Sequence, residues 1–353
     1  MTRACLENQN AYANVMITSR DLGKLNSGER VTAYDLVSEA GFRATILSYG
    51  ATLQSLTFPD GLDVVLGFDD LQGYLGEHPY FGCAVGRVAN RISGARFDIN
   101  GQRYELPKNE NGNNLHSGPI GFDRVNWVGD IDGQTLILRH TSPDGHQGFP
   151  GELQTELRFT FEGSKLSLHI EAIVNKPCPV NISWHPYFNL TDGGATPCTD
   201  HQLQIHASFY TRTGAENLPT GDMTRAPCSL RYRYNDPRPI TENDVLDQNF
   251  VVNSRYNREG NMVKMAKLSS NTTGHKVIIC STETCLQAYT GCHIPGIIGK
   301  SGTRYGPNHG IALEPQSYPD ALNQDNFPDN VLQPGKIYSH EINYTFRPGE
   351  VQA

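Results

Sequence analysis

Residues 166–174 read Leu-Ser-Leu-His-Ile-Glu-Ala-Ile-Val, with an apolar side chain at every second position. Successive side chains of a β-strand point to opposite faces of the sheet, so this spacing predicts a strand with one face in the hydrophobic core. An amphipathic helix would place apolar residues three or four positions apart, and we find no such stripe longer than one or two turns. The stretch therefore predicts a β-sheet that is covered on one side.

Turn sequences divide the rest of the chain into short segments with strand character. Residues 45–58 and 63–68 are rich in residue types that favour strands. The 35 glycines and 21 prolines among 353 residues suit many short strands joined by tight turns. Pairs of Asn-Gly or Asp-Gly, which close β-hairpins, occur at 100–101, 111–112, 132–133 and 144–145.

These patterns lead to one expected architecture. We predict an all-β fold, a single large and mainly antiparallel β-sandwich whose long loops carry the function. The sandwich is expected to form one domain over residues 32–353, since no repeat and no linker-like stretch interrupts it. Residues 1–31 are polar and weakly patterned, and we expect them to form a loosely structured leader.

Charge and composition exclude several classes of partner. The formal net charge is -8 and no run of lysines and arginines occurs, which argues against nucleic acids and anionic membranes. The N-terminus lacks the apolar run of a secretory signal, and we expect no membrane-spanning segment. Two of the four N-x-[ST] sequons begin at Asn181 and Asn189, where a glycan would cover the histidine described next. We therefore expect a cytoplasmic protein.

A histidine in an aromatic setting is the first candidate for chemistry. Residues 181–190 read Asn-Ile-Ser-Trp-His-Pro-Tyr-Phe-Asn-Leu, which places His185 between Trp184 and Pro186. Proline restricts the residue before it to extended conformations, so the local backbone suits a rigid platform for one functional side chain. From this stretch alone, a functional imidazole and a core histidine in an aromatic cluster are equally supported.

Two polar loops supply further candidates. Asn90 and Arg91 follow a glycine-rich strand, where an arginine can bind ligand hydroxyls or form a structural pair with a carboxylate. The loop 109–123 is dense in asparagine and glycine, and His116 lies where a strand-like leucine meets it. The alternative for His116 is a solvated side chain among amides that cap turns.

Glu314 is the candidate base. It follows the apolar segment 310–313 and precedes Pro315. Burial raises the pKa of a carboxyl at the end of such a strand, unless charged partners oppose it. Glu314 is therefore either paired with an arginine or poised to accept a proton.

The histidines and the glutamate suit proton transfer without a metal or a cofactor. His185 lacks the neighbouring histidine or cysteine that is common in zinc sites, and the eight cysteines form no C-x-x-C pair. No nucleotide-binding or nucleophile motif occurs either. We expect no metal, no cofactor and reduced cysteines.

Seven spaced motifs resemble those of the aldose 1-epimerase (galactose mutarotase) family. The resemblance extends from about Thr32 to the C-terminus, and the motifs occur in the family's order. They are Val-Gly-Arg-Val-Ala-Asn-Arg-Ile (85–92), Asn-Gly-Asn-Asn-Leu-His-Ser-Gly-Pro-Ile-Gly-Phe-Asp (111–123) with Trp127, Ser-Pro-Asp-Gly-His-Gln-Gly-Phe-Pro-Gly (142–151), His-Pro-Tyr-Phe-Asn-Leu (185–190), Leu-Asp-Gln-Asn-Phe (246–250), Gln-Ala-Tyr-Thr-Gly (287–291) and Leu-Glu-Pro-Gln-Ser-Tyr-Pro-Asp-Ala-Leu-Asn (313–323).

The resemblance implies a galactose mutarotase-like β-sandwich (supersandwich) with an open cleft that binds a pyranose sugar without a cofactor. It implies an isomerase that interconverts the α and β anomers of hexoses such as glucose and galactose. Glu314 would be the general base at the anomeric hydroxyl, His185 the general acid at the ring oxygen, and His116 an assisting hydrogen-bond partner. The sugar hydroxyls would be held by Asn90, Arg91, Asp247 and Gln287. We expect a monomer or a homodimer.

Three departures from the family pattern leave the substrate open. Family members usually have glycine at the position of Ser117, and often asparagine and serine at the positions of Trp184 and Pro186. Trp184 can add a stacking face for a ring. One alternative is therefore an isomerase of the same fold that acts on a non-hexose or a natural-product cyclic hemiacetal. Another is a non-catalytic carbohydrate-binding module, although a binder needs no matched acid and base.

Overall fold

A computed structural model describes residues 15–252, 258–259 and 261–350. Within these residues β-strands predominate, and the single α-helix, α1, spans Leu71–Leu75. No helix in the described ranges is long and apolar enough to cross a membrane. Short 3-10 helices occur at Ser93–Ala95, Phe122–Arg124, His146–Gly148, Ala215–Asn217, Ala226–Cys228, Lys300–Gly302 and Ala321–Asn323.

The first sheet has four antiparallel strands in chain order: β1 Met16–Lys24, β2 Arg30–Val37, β3 Arg43–Leu47 and β4 Thr52–Thr57. Strand β1 corrects part of the expectation of a loosely structured leader at residues 1–31, because Met16 to Lys24 pair with β2. Its side chains are mostly exposed at the edge of the sheet, so no apolar alternation marks the strand in the sequence. Residues 1–14 lie outside the described residues.

The largest sheet has ten strands and confirms the pattern at residues 166–174. Strand β13 buries Leu166, Leu168 and Ile170, whereas Ile173 on the other face is 47% exposed. In spatial order the sheet contains β10 Val128–Asp132, β11 Thr135–Ser142, β12 Leu153–Glu162, β13 Lys165–Val174, β30 Tyr338–Arg347, β24 Lys276–Ser281, β23 Met262–Ser270, β17 His201–Ile205 and β20 Arg238–Pro239, with β22 Arg258–Glu259 beside β23.

A six-stranded sheet carries much of the site. Its order is β16 Tyr187–Phe188, β28 Ile311–Gln316, β25 Cys285–Tyr289, β21 Asp247–Val252, β18 Ala207–Thr213 and β19 Pro219–Arg225. Five two-stranded ladders complete the fold: β5 Ala84–Val85 with β15 Ser183–Trp184, β6 Arg91–Ile92 with β9 Asn114–Leu115, β7 Arg96–Ile99 with β8 Gln102–Glu105, β14 Cys178–Pro179 with β29 Val331–Leu332, and β26 Ile297–Ile298 with β27 Arg304–Tyr305.

Aromatic side chains join the two large sheets into a sandwich. The rings of Tyr344 in β30 and Phe188 in β16 lie 5.8 Å apart. Phe346 packs at 5.8 Å on Phe58, the residue that follows β4 of the first sheet. All named strand ladders are antiparallel. The prediction of an all-β, mainly antiparallel β-sandwich is therefore confirmed, and the site lies where the six-stranded sheet meets the loops around β5, β6 and β15.

Candidate active site

All seven side chains predicted to form the site line one cleft of about 220 Å³. They come from six separate segments of the chain, which only the folded sheets bring together. The seven are Asn90, Arg91, His116, His185, Asp247, Gln287 and Glu314.

Glu314 lies in the middle of the buried strand β28, all six residues of which are buried. The strand register sets it opposite Gln287 of β25. Burial is the main reason that the pKa of Glu314 is raised well above its ordinary value. Asp247 adds to the increase, and Arg91 opposes it. Glu314 Oε2 is buried with no hydrogen-bond partner among the described residues, so this oxygen is available to a ligand.

His185 faces Glu314 from the segment between β15 and β16. Its backbone N–H donates to the Cys83 carbonyl at 2.9 Å, and its carbonyl accepts from the Gly82 N–H at 3.1 Å. The ring of Tyr187 lies 4.9 Å away. His185 Nε2 lies 3.3 Å from Glu314 Oε1, and burial lowers the pKa of His185 to about 4. The platform predicted for His185 is therefore a fixed backbone that directs the imidazole at a carboxyl.

His116 is held in one tautomer by the backbone of Asn90. The Asn90 N–H donates to His116 Nδ1 at 3.1 Å. Burial, followed by the charges of His185 and Arg91, lowers the pKa of His116 well below its ordinary value. The ring is therefore neutral, and its proton is on Nε2, since Nδ1 serves as an acceptor. His116 can thus donate a hydrogen bond into the cleft through Nε2.

The same tautomer bears on metal binding. Ligand atoms of His116, His185 and Glu314 all lie within 4.8 Å of one another, close enough to share an ion. A ligating imidazole needs a free lone pair on one nitrogen and usually donates its other N–H to an acceptor. At His116 the Asn90 N–H already occupies the lone pair of Nδ1. The donor set therefore fits proton transfer better than metal ligation.

Arg91 and Asp247 form the charged wall of the cleft. Arg91 donates from Nε and Nη2 to Glu110 at 2.7 and 2.8 Å. Its Nη1 lies 3.7 Å from Asp247 Oδ2. Gln287 Nε2 donates to Asp247 Oδ1 at 2.5 Å. Both alternatives that the sequence left open for Arg91 are therefore combined here, since it pairs with carboxylates and also lines the cleft.

Two of the three positions that depart from the family pattern, Trp184 and Ser117, pack away from the cleft, and Pro186 does not line it either. Trp184 is fully buried in the core, where its Nε1–H donates to the Ala51 carbonyl at 2.9 Å and its ring packs on Phe159. The expectation that Trp184 offers a stacking face is therefore wrong. Ser117 Oγ accepts a hydrogen bond from the Val88 N–H at 2.8 Å. Neither residue lines the cleft.

Sequence reasoning missed several side chains that line the cleft. Tyr80 is the most distinctive, because its φ of 58° is rare for a bulky residue and its ring lies 4.6 Å from that of His116. Glu110 belongs to a loop that the sequence did single out, but its partner Arg91 is found only in the folded chain. The others are Pro79, Leu115, Tyr289 and His293.

Several known proteins resemble this chain over most of its length. The family model described as aldose 1-epimerase matches residues 32–345. The galactose mutarotase of Bos taurus is 36% identical, over 94% of this chain and 99% of its own length. The aldose 1-epimerase of Escherichia coli K12 is 30% identical, over 90% of this chain and 96% of its own. A solved aldose epimerase homologue from C. elegans has a TM-score of 0.82 and 28% identity, with 88% of this chain and 97% of that chain covered. The chain belongs to the aldose 1-epimerase family.

Proposed function

We propose that this isomerase interconverts the α and β anomers of aldohexoses such as glucose and galactose. The observation that carries the proposal is the buried pair of Glu314 and His185, which face each other at 3.3 Å in a cleft lined by hydrogen-bonding side chains. Opening a cyclic hemiacetal requires a base at one oxygen and an acid at the other. The names of the family's characterised members support the substrate class.

In the proposed reaction, the form with Glu314 carboxylate and His185 imidazolium starts ring opening: Glu314 takes the proton from the anomeric hydroxyl while His185 protonates the ring oxygen. The electron pair of the O1–H bond forms the aldehyde C1=O1 bond, and the pair of the C1–O5 bond stays on O5. Rotation about C1–C2 then exposes the other face of the aldehyde. Ring closure reverses both proton transfers, so His185 acts as base and Glu314 as acid.

Proton counting explains how one pair serves both half-reactions. Glu314 carboxylate with His185 imidazolium holds the same number of protons as Glu314 carboxylic acid with His185 imidazole. Ring opening converts the first form into the second, and ring closure restores the first. Burial raises the pKa of Glu314 and lowers that of His185, so it favours the uncharged form that accompanies the open-chain sugar. The pair is therefore suited to both directions, provided that it holds exactly one shared proton.

The remaining residues are proposed to bind and orient the sugar. His116 donates from Nε2 near O5 or C1. Arg91 and Gln287 supply donors, and Asp247 supplies acceptors for the ring hydroxyls. Asn90 acts through two local contacts. Its backbone N–H fixes His116, and its side-chain oxygen accepts from the backbone N–H of Arg91 at 2.9 Å.

Polarimetry of freshly dissolved α-D-glucose and α-D-galactose tests the proposal. We expect optical rotation to reach its equilibrium value faster with the protein than in buffer, at a rate proportional to enzyme concentration. Equal rates with and without protein for both sugars would contradict it.

We also infer a cytoplasmic location and a monomeric or homodimeric state without nucleic-acid or membrane partners. We infer one domain over residues 32–353, which strand β1 and the start of β2 extend toward the N-terminus. The location is supported by two sequon asparagines, Asn181 and Asn189, which are both fully buried and therefore unsuited to carry a glycan. Cell fractionation tests the location, and analytical ultracentrifugation tests the oligomeric state.

A further inference from the structure

Two loops hold the charged wall of the cleft from its outer side. One is the loop 109–114, and the other is the 3-10 turn Ala215–Asn217 between β18 and β19. We propose that Glu110 and Asn217, one from each loop, are positioning residues that fix Arg91 and Asp247 for sugar binding. This inference rests on the proposed function and adds two residues to the machinery that the sequence motifs indicate.

Glu110 determines how Arg91 can meet a ligand. Its two carboxylate oxygens accept from Nε and Nη2 of Arg91 at 2.7 and 2.8 Å, a paired geometry that restrains the guanidinium plane. The Arg91 side chain is 12% exposed and that of Glu110 25%, so the pair is largely shielded from water. Nη1 remains directed toward Asp247 and the cleft.

Asn217 does the same for Asp247. Its Nδ2 donates to Asp247 Oδ2 at 2.9 Å, while Gln287 donates to Oδ1. The carboxylate is therefore held at both oxygens. Its distance from Arg91 Nη1 is 3.7 Å, longer than a direct hydrogen bond. The two charged groups thus retain hydrogen-bonding capacity for hydroxyls, because other partners prevent them from closing on each other.

The two loops are also fastened to each other. Asn113 Nδ2 donates to Glu216 Oε2 at 2.9 Å, which links the residue before Asn217 to the loop of Glu110. Glu216 and Asn217 have φ of 57° and 56°, a left-handed conformation that is unfavourable for glutamate and better tolerated by asparagine. Both left-handed residues form hydrogen bonds to segments that build the cleft, Glu216 to Asn113 and Asn217 to Asp247. The conformation of the turn is therefore suited to these contacts.

The main experiment compares two asparagine-to-glycine variants, Asn217→Gly and Asn100→Gly. Asn100 is an exposed residue in the β7–β8 turn with φ of 52°, so glycine relieves similar backbone strain at both sites. We expect Asn217→Gly to raise KM for glucose or galactose roughly ten-fold, as for a lost hydrogen bond to a charged group. We expect kcat to change much less. Asn100→Gly keeps the wild-type KM, and both variants keep a Tm within about 3 °C of wild type.

A second comparison tests whether both residues act through one ion pair. Glu110→Gln is expected to raise KM by roughly three- to ten-fold, because the charge-assisted pair becomes a weaker neutral contact. The double variant Glu110→Gln with Asn217→Gly should raise KM by less than the product of the single effects, since release of either group already loosens the wall. Fully multiplicative effects would show that the two residues act independently. They would overturn the proposal that Glu110 and Asn217 jointly position Arg91 and Asp247.

Equilibrium binding separates this inference from the proposed function. The probe is 1,5-anhydro-D-glucitol, a glucose analogue without an anomeric hydroxyl, titrated calorimetrically into the full chain. Wild-type binding without mutarotase activity would remove the proposed function. The Kd of Asn217→Gly divided by the Kd of the wild type would still test the positioning role of Asn217. A ratio of about ten supports it, and a ratio of one overturns it. No binding of the analogue by the wild type would overturn the role of the charged wall in sugar binding, whereas polarimetry alone decides the proposed function.

Discussion

Arg87 and Arg91 lie four positions apart in one motif, yet their side chains have different partners and different environments in the structure. Arg87 is 2% exposed and lies inside the protein. Its Nε donates to Ser142 Oγ, and its two terminal nitrogens donate to four carbonyls, those of Ser142, Pro143, Pro150 and Gly151, at 2.8 to 3.1 Å. These contacts use all five N–H groups of the guanidinium. Arg87 is therefore an anchor for the segment 142–151.

Arg91 has carboxylates for partners and faces the cleft. Glu110 takes two of its donor nitrogens, and the third lies 3.7 Å from Asp247. The contrast shows how to distinguish the two roles. A buried cation whose donors meet only backbone and hydroxyl groups of the interior stabilises the fold, whereas a cation that keeps donor capacity toward a cleft is available for a ligand.

The largest effect on activity is expected when the carboxyl of Glu314 is removed. Glu314→Gln keeps the shape of the side chain but removes the proton acceptor, so we expect kcat to fall by roughly 10²–10⁴-fold. The free energy of unfolding should stay the same or rise, because the variant no longer buries an ionisable group. Polarimetry and thermal unfolding measure the two quantities.

Glu171→Gln is the matched control for Glu314→Gln. Glu171 lies on β13 with a side chain that is 42% exposed, so its replacement should leave both kcat and Tm near the wild-type values. A Glu314→Gln variant with wild-type kcat would remove Glu314 from the mechanism.

Arg87→Met is expected to have the largest effect on stability. It removes hydrogen bonds from four carbonyls in the interior, each of which costs free energy when it is left unpaired. We expect the free energy of unfolding to fall by at least about 3 kcal/mol. Whatever folded protein remains at low temperature should keep nearly wild-type kcat, as measured by polarimetry on samples whose folded fraction is known from circular dichroism.

Arg87→Lys sharpens this prediction, because lysine keeps the charge but cannot reproduce the five-donor fork. We expect most of the stability loss to persist in this variant. Full recovery of stability by lysine would mean that charge, and not the pattern of hydrogen bonds, is what the site requires.

Arg91→Met should give the opposite pattern at a smaller magnitude. We expect kcat/KM to fall roughly 10- to 100-fold, as for the loss of a charged hydrogen-bond donor to the sugar. The Tm should change by only a few degrees, since the Glu110 side chain is 25% exposed and can be hydrated when Arg91 is lost, and no buried carbonyl is left unpaired. A large loss of Tm with unchanged kcat/KM would show that Arg91 is a structural anchor like Arg87. It would contradict the distinction between the two arginines.

How far the sequence could predict this molecule differs from residue to residue. The apolar alternation at residues 166–174 predicted β13 because one face of that strand is buried. The mostly exposed strand β1 left no such pattern. Motifs located Glu314 and His185, but nothing in Gly-Arg-Val-Ala-Asn-Arg distinguishes the anchor from the ligand-facing arginine.

The contacts of Glu110 and Asn217 could not be predicted from the sequence, for a different reason. Glu110 and Asn217 acquire a role only because Arg91 and Asp247 come beside them in the fold, and neither spacing nor composition records that proximity. Trp184 shows the converse error. An aromatic residue next to a functional histidine was expected to face the ligand, but adjacent residues in an extended segment point to opposite sides, and Trp184 points into the core.

The smallest expected effect is a change in the pH dependence of kcat/KM. In the proposed mechanism, activity requires one shared proton on the Glu314–His185 pair, so the alkaline limb follows loss of that proton. The positive charge of Arg91 opposes the increase in the pKa of Glu314. Without that charge the pKa of Glu314 rises further, the proton is held to higher pH, and the alkaline limb of Arg91→Met should move upward.

The acid limb provides the internal check on that shift. A second proton on the pair belongs to His185, whose pKa of about 4 lies below the usual histidine value. Wild-type kcat/KM should therefore remain high as the pH falls through 6 and decline only near pH 4. Arg87→Lys, whose side chain lies away from the cleft, should keep both limbs in place. A downward shift of the alkaline limb in Arg91→Met would show that Arg91 does not act on Glu314 through its charge, and the electrostatic half of the comparison would fail.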